Sequence, residues 1–131
     1  MDSICEILEN SKNIAVVGIS NKPGRDSGKI AHFLHEVGYN VFGVNPELKV
    51  FDGIPVYKSL SDIPETIDIV DIFRRPEYVV DIVKEAIEIK AKVVWMQLGV
   101  INYEAEKLAQ EAGLKVIMNK CIAIEYRRCF V

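Results

Sequence analysis

A doubly wound α/β fold, with a mostly parallel five-stranded sheet covered by helices on both faces, is the fold class that this sequence predicts. Five nearly continuous apolar segments alternate along the chain with segments of helical periodicity. Such an alternation favours parallel strands joined by right-handed helical crossovers. The chain has 131 residues, of which 50% are hydrophobic, so one compact domain covering residues 1–131 is expected.

The five predicted strands are rich in Val, Ile, Phe, Trp or Met. Their apolar residues run without a polar alternation, which is typical of strands that helices bury on both faces. The predicted strands cover residues 13–18, 40–44, 68–73, 92–97 and 114–118.

Three segments between these strands have apolar residues at helical spacing. Gly38 and Gly113 predict helix ends, whereas Pro76 and Asn102 suit helix starts. Further helices are expected at residues 2–11 and 121–129, and the proline-containing segment Asn45–Asp68 is expected to be a loop with a short strand or helical turn. The three apolar stripes are Ile30, Ala31, Phe33, Leu34 and Val37; Val79, Ile82, Val83, Ala86 and Ile87; and Ala105, Leu108, Ala109 and Ala112.

Composition argues against several classes of protein. A net charge of −3 and a pI near 5.4 are unlike a nucleic-acid coat protein, and no apolar run approaches the ~20 residues that span a bilayer. The three cysteines, Cys5, Cys121 and Cys129, form an odd set without a C-x-x-C pair, which suits neither a disulfide scaffold nor a zinc site. His32 and His35 are expected to lie on the surface or line a groove rather than bind metal. A cytoplasmic protein without nucleic-acid, membrane or metal partners is therefore expected.

The segment Gly18–Gly28 has the character of a phosphate-binding loop. It directly follows an apolar strand and leads into a helix, where unpaired backbone N–H groups and the helix dipole are expected to favour an anion. The NAD fingerprint G-x-G-x-x-G would need a glycine at Ser20, and an acidic residue where the second strand ends in Val44-Asn45-Pro46. A phosphorylated ligand other than NAD is favoured, and a purely structural turn is the alternative.

Polar and cationic residues follow all five predicted strands. The carboxyl ends of parallel strands meet at one edge of a sheet, where ligands of such folds bind. Arginine and lysine suit phosphate groups, and amides suit polar groups of a ligand. Together with the small and apolar residues among them, the strand-end residues are Gly18, Ser20, Lys22, Pro23, Arg25 and Ser27; Val44, Asn45 and Pro46; Phe73, Arg74, Arg75 and Pro76; Gln97, Gly99 and Val100; and Asn119, Lys120 and Cys121.

These segments resemble a known family. They look like the small stand-alone CoA-binding proteins, which are similar to the CoA-binding Rossmann domain of the succinyl-CoA synthetase α subunit and of ADP-forming acyl-CoA synthetases. The resemblance spans nearly the whole chain, with its motifs in the same order. The motifs are Gly18-Ile19-Ser20 with Lys22-Pro23 and Ser27, Val44-Asn45-Pro46, Phe73-Arg74-Arg75-Pro76-Glu77, Trp95-Met96-Gln97-Leu98-Gly99 and Asn119-Lys120-Cys121.

The resemblance implies a Rossmann-like fold with coenzyme A or an acyl-CoA as its ligand. By this likeness the first loop holds the phosphates, Val44–Pro46 line the adenosine, Phe73–Pro76 flank the nucleotide and Gln97–Val100 lie along the pantetheine arm. The expected cofactor-binding residues are Gly18, Ile19, Ser20, Lys22, Pro23, Arg25, Ser27, Val44, Asn45, Pro46, Phe73, Arg74, Pro76, Gln97, Gly99, Val100, Asn119 and Cys121.

The resemblance also limits the expected activity. In the larger synthetases a further ligase-type domain carries the phosphorylated histidine, whereas this chain ends at Val131, just after the last Rossmann element. A non-catalytic CoA-binding module is therefore expected, with no catalytic residue assigned. Two alternatives stay open, a CoA-linked thiol redox sensor or enzyme that uses Cys121, and an NAD(P)-binding protein. The sequence also leaves open a protein partner or a homo-oligomer.

Overall fold

Strands and helices alternate along the chain in the computed structural model, which describes residues 2–130. All five predicted strands and all five predicted helices are confirmed, with ends within a few residues of those expected. The strands are β1 (Asn13–Val17), β2 (Asn40–Val44), β3 (Val50–Phe51), β4 (Ile54–Tyr57), β5 (Ile69–Ile72), β6 (Val93–Met96) and β7 (Lys115–Ile117). The helices are α1 (Ser3–Asn10), α2 (Asp26–Glu36), α3 (Val79–Glu88), α4 (Tyr103–Glu111) and α5 (Ile122–Phe130).

The described strands form one seven-stranded sheet in the order β3-β4-β2-β1-β5-β6-β7. Every neighbouring pair is parallel except β3 and β4. The sheet therefore has two more strands than the five predicted. Both come from the segment 45–68, for which a loop with a short strand or helical turn was expected. Neither strand was counted in the sheet, because β3 has only two residues and β4 contains Pro55, so neither has a readable periodicity.

The register of the central strands aligns their carboxyl ends. Val17 lies beside Val44 on one side and beside Ile72 on the other, and Ile72 lies beside Met96. The loops that follow these four residues therefore leave the sheet at the same edge. This edge is the one at which the sequence predicts a ligand site.

Two helical layers cover the sheet. Helices α3 and α4 pack on one face, and α1, α2 and α5 pack on the other. Asn102 begins α4 as predicted, since its side chain accepts a hydrogen bond of 2.9 Å from the Ala105 N–H. The helices have 8 to 11 residues. No helix within residues 2–130 is long and apolar enough to cross a membrane.

A disulfide joins Cys5 of α1 to Cys129 of α5, 124 residues apart in sequence. The expectation that the cysteines do not form disulfides is therefore wrong for this pair, whereas Cys121 is free. The spacing of the cysteines did not predict this disulfide, because it joins the two ends of the chain rather than closing a short loop. Because disulfides are rare in cytoplasmic proteins, the cysteines no longer favour a cytoplasmic location.

Asp71 is a fully buried acid in the central strand β5. Its register partners are Val16 and Trp95, so its side chain enters the apolar layer between the sheet and α1, α2 and α5. Neither carboxyl oxygen has a hydrogen-bond partner among residues 2–130. Burial without a partner raises the pKa of the Asp71 carboxyl well above its ordinary value.

This buried carboxyl is expected to make stability fall as pH rises above about 4, the pKa of an unfolded aspartate. Above that pH the native state holds a proton that the unfolded chain has lost, so the free energy of unfolding falls by up to about 1.4 kcal/mol per pH unit. Asp71→Asn removes this dependence. Urea unfolding of both proteins should show that the free energy of unfolding of the variant, relative to that of the parent, increases from pH 4 to pH 8. Parallel pH curves would contradict the prediction.

Candidate functional site

Backbone hydrogen bonds hold the predicted site loops together at the carboxyl edge. The Gly18 N–H donates to the Val44 carbonyl at 2.9 Å, and the Phe73 N–H donates to the Val17 carbonyl at 2.9 Å. On the other side of β5, the Gln97 N–H donates to the Ile72 carbonyl. The first residues after β1, β5 and β6 are therefore extensions of the sheet, and the loops beyond them leave it at the same edge.

Gly18 occupies a position that only glycine fits. Its φ is +91°, and a Cβ atom there would lie 2.7 Å from the Phe73 carbonyl oxygen and 2.9 Å from Cδ of Arg74. An alanine would be strained and would push against the backbone of the next strand. Gly18 is therefore needed by the fold itself, and its substitution does not isolate a binding role.

The first loop uses several of its own backbone donors. The Ser20 N–H donates to Oγ of the buried Ser27 at 3.0 Å, and the Lys22 N–H donates to Oγ of Ser20 at 3.1 Å. The expectation that this loop offers unpaired N–H groups is therefore wrong at Gly18, Ser20 and Lys22. Helix α2 begins after Arg25, which makes no side-chain cap within the described chain. The first turn of α2 therefore offers further backbone donors for an anion.

Close packing of the first loop extends to a residue that the sequence did not single out. A Cβ atom at Gly28 would lie 2.6 Å from Cζ of Phe51 and 2.9 Å from the Ser20 carbonyl oxygen. Phe51 therefore lies against the start of α2. The sequence carried no signal for it because the proline-containing segment around β3 showed no regular pattern.

The loop after β2 is organised by Asn45. Its Nδ2 donates to the Ile19 carbonyl at 2.8 Å, while its Oδ1 accepts from the N–H groups of Glu47 and Leu48 at 2.8 and 3.2 Å. The side-chain amide thus positions two site loops, and Ile19 is fully buried. Of the three residues predicted here, Pro46 has the exposed side chain.

Arg74 lies between the first loop and Tyr78. Its guanidinium carbon is 4.5 Å from the centre of the Tyr78 ring, and its side-chain stem passes Gly18. This stacking fixes the cation at the junction of the loops after β1 and β5. Lys22, Pro23 and Arg25 are exposed on the first loop itself. The sequence predicted Arg74 as a site residue but not the ring that supports it.

The loops after β6 and β7 are tied to each other. Oε1 of the buried Gln97 accepts from the Ile122 N–H at 3.0 Å, and Oδ1 of Asn119 accepts from the Gly99 N–H at 2.8 Å. Both side chains therefore position backbone groups: Gln97 holds the start of α5, and Asn119 holds the loop after β6. Cys121 is half-buried beside them with a free thiol. Val100 is buried, whereas Pro76 and Gly99 are exposed.

The carboxyl edge carries an excess of positive charge on an acidic chain. The segments 18–28, 44–47, 73–77, 97–100 and 119–121 contain five cationic and three acidic side chains, although the whole chain has a net charge of −3. An anionic ligand is favoured at this edge. The cations are Lys22, Arg25, Arg74, Arg75 and Lys120, and the acids are Asp26, Glu47 and Glu77.

Two surface cavities, of about 460 and 510 Å³, open at the opposite, amino-terminal edge of the sheet. The first lies beside Lys12 and Gly38, and the second beside Lys90, Lys92 and Gly113. Neither is lined by a predicted site residue. These cavities are therefore an alternative location for a ligand, and a binding experiment has to distinguish the two edges.

The histidines lie apart from the carboxyl-edge loops. His32 contacts Oε1 of Glu36 at 2.8 Å and Oδ2 of Asp52 at 3.1 Å, and it is about half exposed. Three other possible metal ligands, Asp2, Cys5 and Cys129, lie close together. Both cysteines of that group are in the disulfide and so have no thiolate for a metal.

The chain is similar to known proteins along nearly its full length. Residues 12–127 match the family model described as "CoA binding domain". The uncharacterized protein YneT of Bacillus subtilis is 40% identical over 94% of this chain and 91% of its own length. A solved structure of a hypothetical protein from Pyrococcus horikoshii is 43% identical, with a TM-score of 0.95, over 98% of this chain and 90% of that one.

Part of a larger enzyme is also similar. The α subunit of an ADP-forming acetate–CoA ligase from Pyrococcus furiosus is 31% identical over 81% of this chain. The match covers 25% of that subunit. The present chain thus corresponds to about a quarter of the length of the ligase subunit.

Proposed function

Because this chain belongs to the CoA binding domain family, we propose that it binds coenzyme A or an acyl-CoA at the carboxyl edge of its sheet. The proposed location rests on one observation. The loops after β1, β2, β5, β6 and β7 converge at this edge, and they contain five cationic side chains. Parallel sheets of this topology bind nucleotides beside the point where strand order reverses, which here is at β1.

The phosphates of the ligand would lie on the first loop. Coenzyme A carries a pyrophosphate and a 3′-phosphate, so it needs more than one cationic contact. The first turn of α2, which no side chain of the described residues caps, offers backbone donors, and Lys22, Arg25 and Arg74 offer charge around it. The preference over NAD rests on this extra phosphate and on the absence of an acidic residue where β2 ends.

The remainder of the ligand would follow the sheet edge on both sides of the phosphates. The adenosine would lie by Val44, Asn45 and Pro46, with Phe73 to Pro76 flanking the nucleotide. The pantetheine arm would run past Gln97 to Val100 toward Asn119 and Cys121. In this arrangement Asn45, Gln97 and Asn119 act by positioning the loops, since their side chains hold backbone groups.

We propose no ligase chemistry for this chain. Its match to the acetate–CoA ligase subunit covers 25% of that protein, and the carboxyl edge presents cations, amides and the free thiol of Cys121, without a general base paired to that thiol within residues 2–130. The chain would hold the ligand for another protein or report its presence. A cytoplasmic location without nucleic-acid partners stays a prediction from the sequence.

A thiol redox sensor is the second candidate function, and the position of Cys121 favours it. The thiol is free, half-buried and at the same edge as the site. With oxidised coenzyme A, the Cys121 sulfur would attack the disulfide, form a protein–CoA disulfide and release one coenzyme A thiol. An adduct in the intact mass that dithiothreitol removes and that Cys121→Ser lacks would support this role.

Coenzyme A is expected to bind more tightly than NAD to the ligand-stripped protein, with 3′-dephospho-CoA between them. The 3′-phosphate adds charge that only coenzyme A presents to the cations of the first loop. Isothermal titration calorimetry with the three ligands measures the order. A clear NAD affinity without any heat or competition from coenzyme A would overturn the proposed function.

A further inference from the structure

Four large apolar side chains are exposed in or directly after the two loops that follow β5 and β6, with Tyr103 as the first residue of α4. The exposed fractions are 45% for Tyr78, 65% for Leu98, 39% for Ile101 and 70% for Tyr103. A single exposed apolar side chain is ordinary, but a group in adjoining loops marks a surface that a ligand or partner covers. We refer to these four residues as the apolar patch.

The apolar patch is held in place by hydrogen bonds rather than by its own packing. Nδ2 of Asn102 donates to the Pro76 carbonyl at 2.9 Å, which joins the two loops, and its Oδ1 caps α4. Tyr78 is further fixed by the guanidinium of Arg74, which also lies against the first loop. One member of the patch, Tyr78, is thus in contact with a cation of the proposed phosphate-binding part.

The distance between strands relates the patch to the far end of the ligand. Neighbouring strands are about 4.8 Å apart, so the ends of β1 and β6, with β5 between them, are separated by roughly 10 Å. A ligand whose phosphates lie at the loop after β1 and whose arm follows the sheet edge would pass the end of β6. The arm would end near Asn119 and Cys121, and Leu98 adjoins this end because the N–H of the next residue, Gly99, donates to Oδ1 of Asn119 at 2.8 Å.

From this placement we propose that the ligand is an acyl-CoA whose apolar acyl chain lies on the apolar patch, with Leu98 and Ile101 as its main contacts. This inference rests on the proposed function and adds the ligand class to it. Binding involves no covalent step, since the acyl chain gains affinity by removing apolar surface from water.

Calorimetric titrations with coenzyme A, acetyl-, butanoyl- and hexanoyl-CoA test the proposal. The affinity should rise by about twofold for each added methylene, which is less than the roughly fourfold of a fully buried methylene because the patch is open on one side. The ratio of hexanoyl-CoA to coenzyme A affinity should collapse to near one in Leu98→Ser/Ile101→Ser. Val37→Ser, an exposed apolar residue at the end of α2, should keep the ratio of the parent protein.

The outcomes separate this inference from the proposed function. Equal affinity for all four ligands would overturn the acyl-binding role while leaving coenzyme A binding intact. No binding of any of them would overturn the proposed function and this inference with it. Sedimentation equilibrium tests a different occupant of the patch. If the parent protein is a dimer and Leu98→Ser/Ile101→Ser is a monomer, the patch binds a second copy of the chain, and the proposal is overturned.

Discussion

Replacing Lys22, Arg25 and Arg74 together by glutamine is expected to weaken coenzyme A binding by at least about 100-fold. A hydrogen bond to a charged partner contributes about 1.5 kcal/mol or more, roughly a factor of ten in affinity for each contact. Lys22 and Arg25 are exposed, so their contribution is expected at the lower end of that range. Arg74, stacked on Tyr78, is expected to contribute most. Calorimetry at one fixed salt concentration measures the change.

A matched control separates local contacts from the effect of overall charge. Lys84, Lys107 and Lys115 are exposed on α3, α4 and the amino-terminal end of β7, and replacing all three by glutamine changes the net charge by the same amount. This variant should bind coenzyme A within about twofold of the parent. An equal loss of affinity in both triple variants would refute specific phosphate contacts at the first loop.

Breaking the Cys5–Cys129 disulfide is expected to lower the free energy of unfolding by about 5 kcal/mol. The bond closes a loop of 124 residues, and the entropy that such a cross-link removes from the unfolded chain grows with loop length. A loss of this size is a large part of the 5–15 kcal/mol that stabilises a typical domain. Urea unfolding with and without dithiothreitol, and of Cys129→Ala, measures it.

Cys121→Ala is the control, because that cysteine is free. It should keep both the stability of the parent protein and its response to dithiothreitol, whereas Cys129→Ala should no longer respond. Thiol titration of the denatured parent protein should find one free thiol before reduction and three after it. Three free thiols in the unreduced protein would show that the disulfide does not form.

The arrangement of the central sheet was predictable because its signal is local and repeated. Five apolar runs separated by helical stripes are sufficient to predict a parallel sheet, and glycines and caps such as Gly38 and Asn102 give the helix ends. The strands β3 and β4 were not predicted as such, since their stability comes from pairing at the edge of an existing sheet rather than from their own sequence.

Side-chain partners were less predictable than strand positions. Three such features are the pairing of Cys5 with Cys129, the stacking of Arg74 on Tyr78 and the lack of a partner for Asp71 within residues 2–130. All of them depend on contacts between distant segments or on burial. No spacing rule in one sequence reports such contacts. Asp71 did sit within an apolar strand pattern, so its burial, though not its isolation, could have been read from the sequence.

The candidate site shows the same division. Strand ends predicted which loops gather at the carboxyl edge, and the register of β1, β2, β5 and β6 aligns those ends. The role of each side chain within these loops was not predictable, because it depends on contacts between segments that are distant in sequence. The side chains of Asn45 and Gln97, predicted as ligand contacts, also hold backbone groups of other loops, which the sequence did not indicate.

Chemical-shift mapping of the ¹⁵N-labelled protein with coenzyme A tests the location of the site most directly. Shift changes are expected at residues 20–28, 44–46, 73–75, 97–100 and 119–121, all at the carboxyl edge of the sheet. Binding in the cavities at the amino-terminal edge would instead change the shifts near Lys12, Gly38, Lys90 and Gly113, which lie beside those cavities. Changes confined to those positions would contradict a coenzyme A site at the carboxyl ends of the strands.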